Sequence, residues 1–176
     1  MAGEADIAAI GIVRAPPEEV FGFLSDLENH WRLADRFIVV VNLERGPDGR
    51  ARGGRVRMRG PLGLSRTATT SVLAADVPGR MLGVAEVGGR TRAFVRWKLS
   101  GVGGRTRVRL DATIDRTGWV DRLLLLLGGH TWLERRFSAV LRRLGERFSS
   151  AATDDEGYVG AHADAGAQAP IQRLSP

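Results

Sequence analysis

Residues 119–148 read WVDRLLLLLGGHTWLERRFSAVLRRLGERF, and the placement of apolar residues in this stretch decides the fold. Trp119, Leu123, Leu126, Leu133, Phe137, Val140, Leu144 and Phe148 recur every three or four residues, the spacing of one face of an α-helix. The spacing predicts a single helix of about 30 residues, roughly 45 Å long. One polar residue, His130, falls on the stripe beside Gly128-Gly129. A terminal helix cannot bury such a stripe alone, so it must lie across the apolar face of a sheet. Its length suggests a curved sheet wrapped around it, with space left between them.

The residues upstream supply that sheet. Ile7 to Arg14 is a short apolar run stopped by Pro16-Pro17. Pro17 suits the first turn of a helix, Glu18 and Glu19 suit its dipole, and Val20, Phe21 and Leu24 form its apolar stripe. Asp26 is placed to cap a second short helix that carries His30 and Trp31. From Phe37 the reading is β: Phe37–Leu43, Gly54–Gly60, Arg66–Asp76, Met81–Val87, Arg90–Leu99 and Arg105–Ile114. Turn signals separate these runs at 46–49, 61–63, 78–79, 88–89 and 101–104. Regular strands joined by tight glycine turns predict an antiparallel meander.

At 176 residues and 43% apolar composition the chain fits one domain, residues 1–150, followed by a tail at 151–176. The tail lacks periodicity and is rich in Ala, Gly and Asp, so it reads as disordered. The absence of cysteine excludes disulfides, thiolate nucleophiles and cysteine-ligated metal sites. The N-terminus shows neither a signal peptide nor a transmembrane span, which points to a cytosolic protein. Net charge is +6, with Lys98 the one lysine among 26 basic residues. Aromatic residues are few, and no helix-turn-helix, zinc-finger or aromatic RNA-binding signature accompanies the charge, so specific nucleic-acid binding is not expected.

Catalytic signals are thin. His30, His130 and His162 lack metal-ligand spacing, and no nucleophile motif or phosphate loop occurs. Asp111, Asp115 and Asp121 fall on a strand, a loop and a helix start, which does not make a carboxylate pair. No catalytic residue, metal or cofactor is predicted, and an enzyme is the less favoured class.

The segment from Ala15-Pro16-Pro17-Glu18-Glu19-Val20-Phe21 to Ser25-Asp26 and Trp31 resembles the opening of the SRPBCC (START-like) superfamily, in particular its polyketide cyclase/dehydrase and lipid-transport branch. Trp97-Lys98-Leu99, the turn at Gly104 and Thr106-Arg107-Val108 resemble the last two strands of that branch, and Leu133 to Phe148 its closing helix. The resemblance spans about residues 5 to 150. It implies the α+β helix-grip fold: a curved antiparallel seven-stranded sheet around a long C-terminal helix, with two short helices between the first two strands. It also implies a cavity for a hydrophobic or amphipathic small molecule, held by a carrier or sensor; the alternative is a polyketide cyclase or aromatase using the same cavity. Fold alone does not decide between them.

The period-two pattern of the strands identifies the side facing the helix. On it fall Val56 and Met58, then Thr91, Ala93, Val95, Trp97 and Leu99, then Thr106, Val108, Leu110, Ala112 and Ile114. Trp97 is the large aromatic expected to face the helix, and Thr70, in phase with Ala68 and Val72, the expected pocket hydroxyl. His130 is expected as a polar anchor on the helix or as a core histidine bonded to a neighbouring carbonyl or threonine, and the resemblance implies that His30 and Trp31 lie near one mouth of the cavity, as a gate residue or as a cap on the core. The expected ligand-binding set is therefore Trp31, Met58, Thr70, Val95, Trp97, Val108, Leu126, His130, Leu133 and Phe137. In the rival reading His130 is the acid/base. The arginines at 55, 57, 59, 92, 96, 105, 107 and 109 fall on the opposite face, a basic surface suited to solvent or to peripheral contact with anionic membrane. The run of five leucines at 123–127 is apolar all round, as at a pocket entrance, a dimer patch or a membrane contact.

Overall fold

Alternation along each β run produces strands with one buried and one exposed face, and seven of them join in one antiparallel sheet. The computed structural model describes residues 7–60 and 63–159. The strands are β1 (Ile7–Val13), β2 (Ile38–Arg45), β3 (Ala51–Arg59), β4 (Ser65–Asp76), β5 (Arg80–Val87), β6 (Thr91–Val102) and β7 (Arg105–Arg116), in the order β1-β7-β6-β5-β4-β3-β2. Helices α1 (Pro17–Leu24) and α2 (Leu27–Ala34) link β1 to β2. This is the helix-grip arrangement.

Local chemistry explains the two short helices. Pro17 opens α1, where its missing N–H is no loss. The Asp26 carboxylate accepts from Glu28 N–H at 3.0 Å, capping α2, and from Ala51 N–H at 3.2 Å, tying that helix start to β3. The cap fixes the phase of α2, so that Leu27, His30, Trp31 and Ala34, at i, i+3, i+4 and i+7, turn towards the sheet.

The C-terminal helix departs from the single rod that its periodicity predicts. Helix α3 (Trp119–Leu124) runs into a π-turn at Leu125–Gly129, and α4 begins only at His130 and continues to Val159. Leu127 (φ −81°, ψ 23°) and Gly128 (φ 105°, ψ 4°) break the helical path. A side chain at Gly128 would be strained at that φ, which is the purpose of glycine there. The break discards the phase carried from Trp119: Trp119, Leu126 and Leu127 are 72%, 75% and 75% exposed, whereas Leu144 is fully buried. Met1–Asp6, part of the 61–63 turn and residues 160–176 lie outside the described residues, so most of the segment expected to be disordered does too.

Two apolar cores result. Leu24, Trp97, Leu99, Val108, Leu141 and Leu144 belong to the larger, where α4 crosses β1 and β7. The crossing is close: a Cβ at Gly11 would stand 3.1 Å from that of Leu141. The smaller core holds Leu27, Trp31, Ala51, Val56 and Ala68 beneath α2. Val72 packs against both. On the outer face, Asp111 is buried beneath the guanidinium groups of Arg96 and Arg109, at 2.8 and 3.2 Å.

Candidate functional site

Small residues on the inner face of the sheet keep the helices and strands from closing on each other. Gly83 faces Val95, Ala85 faces Ala93, and Val95 in turn faces Ala112. Above them is a cavity of about 340 Å³. Its floor includes Met58 on β3, Val72 on β4, Met81 on β5, Val95 and Trp97 on β6, and Leu110 on β7. Helix α4 contributes Trp132, Leu133, Arg136, Phe137 and Val140 as the roof, and α2 contributes Leu27, His30, Trp31 and Ala34 as a side wall.

The lining is mostly apolar, so its few polar groups define its chemistry. Nε2 of His30 lies 2.6 Å from the Leu24 carbonyl oxygen, which can only accept, so Nε2 carries the proton and donates. In the neutral ring Nδ1 is then an acceptor. Burial pushes the imidazole down from 6.5 to about 4, against the opposing pull of the Leu24 carbonyl and the Asp26 charge. The His30 ring also lies 5.0 Å from the Trp97 ring, centroid to centroid. Thr70 Oγ1 is buried in the wall with no hydrogen-bond partner among the described residues.

Towards α3 the lining becomes charged. Asp121 accepts from Thr91 Oγ1 at 2.5 Å and pairs with Arg66 at 3.1 Å, while Thr91 Oγ1 accepts from Gly118 N–H. These bonds fasten the start of α3 to the ends of β4 and β6. Arg136 lies 5.3 Å from the Trp132 ring and 5.6 Å from the Phe37 ring, a cation–π arrangement at the roof.

Trp31, Met58, Thr70, Val95, Trp97, Leu133 and Phe137 all line this cavity. Three residues expected with them do not. Val108 is fully buried in the larger core, at the level where α4 presses on β1 and leaves no gap. Leu126 and His130 are exposed, because the break at Leu127-Gly128 rotates them away from the sheet. The polar anchor assigned to His130 is therefore misplaced, and His130→Leu is expected to change stability by no more than about 0.5 kcal/mol in denaturant unfolding. Among the described residues, His30 is the histidine of the cavity. Its place was encoded in the α2 stripe beginning at Leu27, whose phase the Asp26 cap determines; Trp132 and Arg136 follow from the same spacing, extended from Gly129 along α4.

A curved sheet gripping a long helix over an apolar cavity defines an SRPBCC-type, helix-grip protein. The chain belongs to the polyketide cyclase / dehydrase and lipid transport family, whose profile matches residues 8–149. Its fold is similar to that of TTHA0849 from Thermus thermophilus, 21% identical with a TM-score of 0.64, over 82% of this chain and 97% of the other. A START superfamily protein from Mycobacterium smegmatis is 18% identical with a TM-score of 0.54, over 80% and 97%. A protein from Arthrobacter aurescens is 12% identical with a TM-score of 0.59, over 81% and 85%. No curated protein matches the sequence. Among the described residues, no helix is long and apolar enough to cross a membrane.

Proposed function

We propose that the chain is a carrier or sensor that binds a hydrophobic or amphipathic small molecule in the cavity between sheet and α4. The observation behind this reading is an apolar space of about 340 Å³ whose wall holds a buried hydroxyl, Thr70 Oγ1, without a protein partner among the described residues. A buried polar atom of that kind is costly unless something satisfies it. A turn of the Thr70 side chain about χ1 would present the hydroxyl to a ligand carbonyl or hydroxyl whose apolar body fills the space. The His30 ring, neutral at physiological pH, offers an acceptor on the α2 side of the same cavity.

The alternative is a polyketide cyclase or aromatase, with His30 as the proton acceptor in an apolar site. A ring whose pKa is about 4 is a weak base at neutral pH, and this ranks binding first. The test pairs an environment-sensitive apolar dye with Thr70→Val. The dye should bind and be displaced by flat or chain-like apolar compounds. The variant should be at least as stable as the parent, since a methyl replaces an unpartnered hydroxyl. Its affinity for a ligand with a carbonyl head should fall roughly three- to tenfold, the value of one hydrogen bond, with no loss for the matched hydrocarbon. A chain that takes up neither dye nor any compound in organic extracts would end the binding reading.

A further inference from the structure

The break at Leu127-Gly128 leaves a group of large apolar side chains in solvent. Trp119, Leu123, Leu126 and Leu127 are 72%, 49%, 75% and 75% exposed, all within α3 and the π-turn that follows it. Leu64, on the β3–β4 hairpin, is a further exposed apolar residue at 44%, and it also lines the cavity, as does Leu125. The apolar surface thus continues from inside the cavity, through Leu125 and Leu64, to the outside. An exposed apolar patch of this kind marks a contact with another phase or molecule.

Charge around the patch selects the contact. Arg116 and Arg122 flank Trp119 in sequence and are exposed, and Arg90 packs beside Gly118, whose Cβ would stand 3.2 Å from that of Arg90. None of the three forms an ion pair among the described residues, whereas Asp121, the acidic residue inside α3, is neutralised by Arg66. Asp115, exposed beside Arg116, leaves these arginines in excess by three to one, and an apolar patch carrying a tryptophan and bordered by them matches the interface of an anionic bilayer, with apolar tips in the acyl boundary and guanidinium groups at the phosphates. We propose that Trp119, Leu123, Leu126 and Leu127 dock this protein on an anionic lipid surface. The docking depends on this surface alone and not on what the cavity holds.

The test uses the full chain without ligand, sedimented with phosphatidylcholine vesicles prepared with or without phosphatidylglycerol. The chain should pellet with the anionic vesicles, release as salt is raised, and show a blue shift in tryptophan emission. The combined Trp119→Ser, Leu126→Ser and Leu127→Ser variant should lose roughly tenfold or more in partitioning while keeping its circular dichroism and melting temperature. Arg116→Gln and Arg122→Gln should each lose roughly fivefold on anionic vesicles only. A parent chain that stays in the supernatant, or a serine variant that pellets like the parent, overturns the proposal. So does a dimer in sedimentation velocity that the serine variant abolishes, since the patch would then belong to a second copy of the chain.

Discussion

Trp97→Ala is expected to destabilise the fold by about 3 to 5 kcal/mol, the range for truncating a buried tryptophan. The indole is 4% exposed and belongs to the larger core, with Met81 and Leu110 as its cross-strand neighbours. Removing it deletes those contacts and joins a new void to a cavity already of about 340 Å³. Neighbours that already border empty space have little to close against it, so relaxation recovers little of the loss. Urea unfolding of the free and dye-saturated protein measures two consequences. The free variant should show the full loss, and a bulky ligand able to enter the enlarged space should restore more stability to the variant than to the parent. A loss below about 1 kcal/mol would mean that the indole is not a packed wall.

The same site shows what the sequence makes legible. Val95 and Val108 both alternate inward, and that much follows from the period of two. Whether an inward residue meets a cavity or a helix depends on its level along the strand. Val95 sits among Gly83 and Ala112, where there is too little side-chain volume to fill the space beneath α4. Val108 is opposite Gly11, at the level where α4 approaches β1 most closely. That difference lies in pairing register across three strands, and no single segment contains it. The misreading of Leu126 and His130 has another origin. Leu123 to Leu127 is apolar at every position, so it carries no phase, and the stripe on either side can be joined through it in more than one way. Only the positive φ of Gly128 settles the join. Helix α2 is the opposite case, since one capping residue, Asp26, fixes which side chains face inward.

Acidification is expected to weaken the fold through His30, and the sign follows from its two protonation equilibria. In the folded chain the imidazole titrates at about 4, and in the unfolded chain near the ordinary 6.5. Above 6.5 both states are neutral at this residue and its full contribution to stability is present. As the pH falls towards 4 the unfolded chain binds the proton first, and stability is lost at up to about 1.4 kcal/mol per pH unit, roughly 3 kcal/mol in all. Carboxylates titrate over part of the same window, so the informative quantity is the difference between the parent and His30→Phe in urea unfolding across the range. Near neutral pH the variant should be the weaker by about 1 to 3 kcal/mol, because the Leu24 carbonyl loses its donor. Towards pH 4 the parent pays for holding the ring neutral while phenylalanine has no proton to gain, so the two curves should meet or cross. A difference independent of pH would place the imidazole in water. Trp97→Ala connects the two experiments, since removing the indole 5.0 Å from the His30 ring admits solvent to it and should bring its pKa back towards 6.5, flattening the acid response.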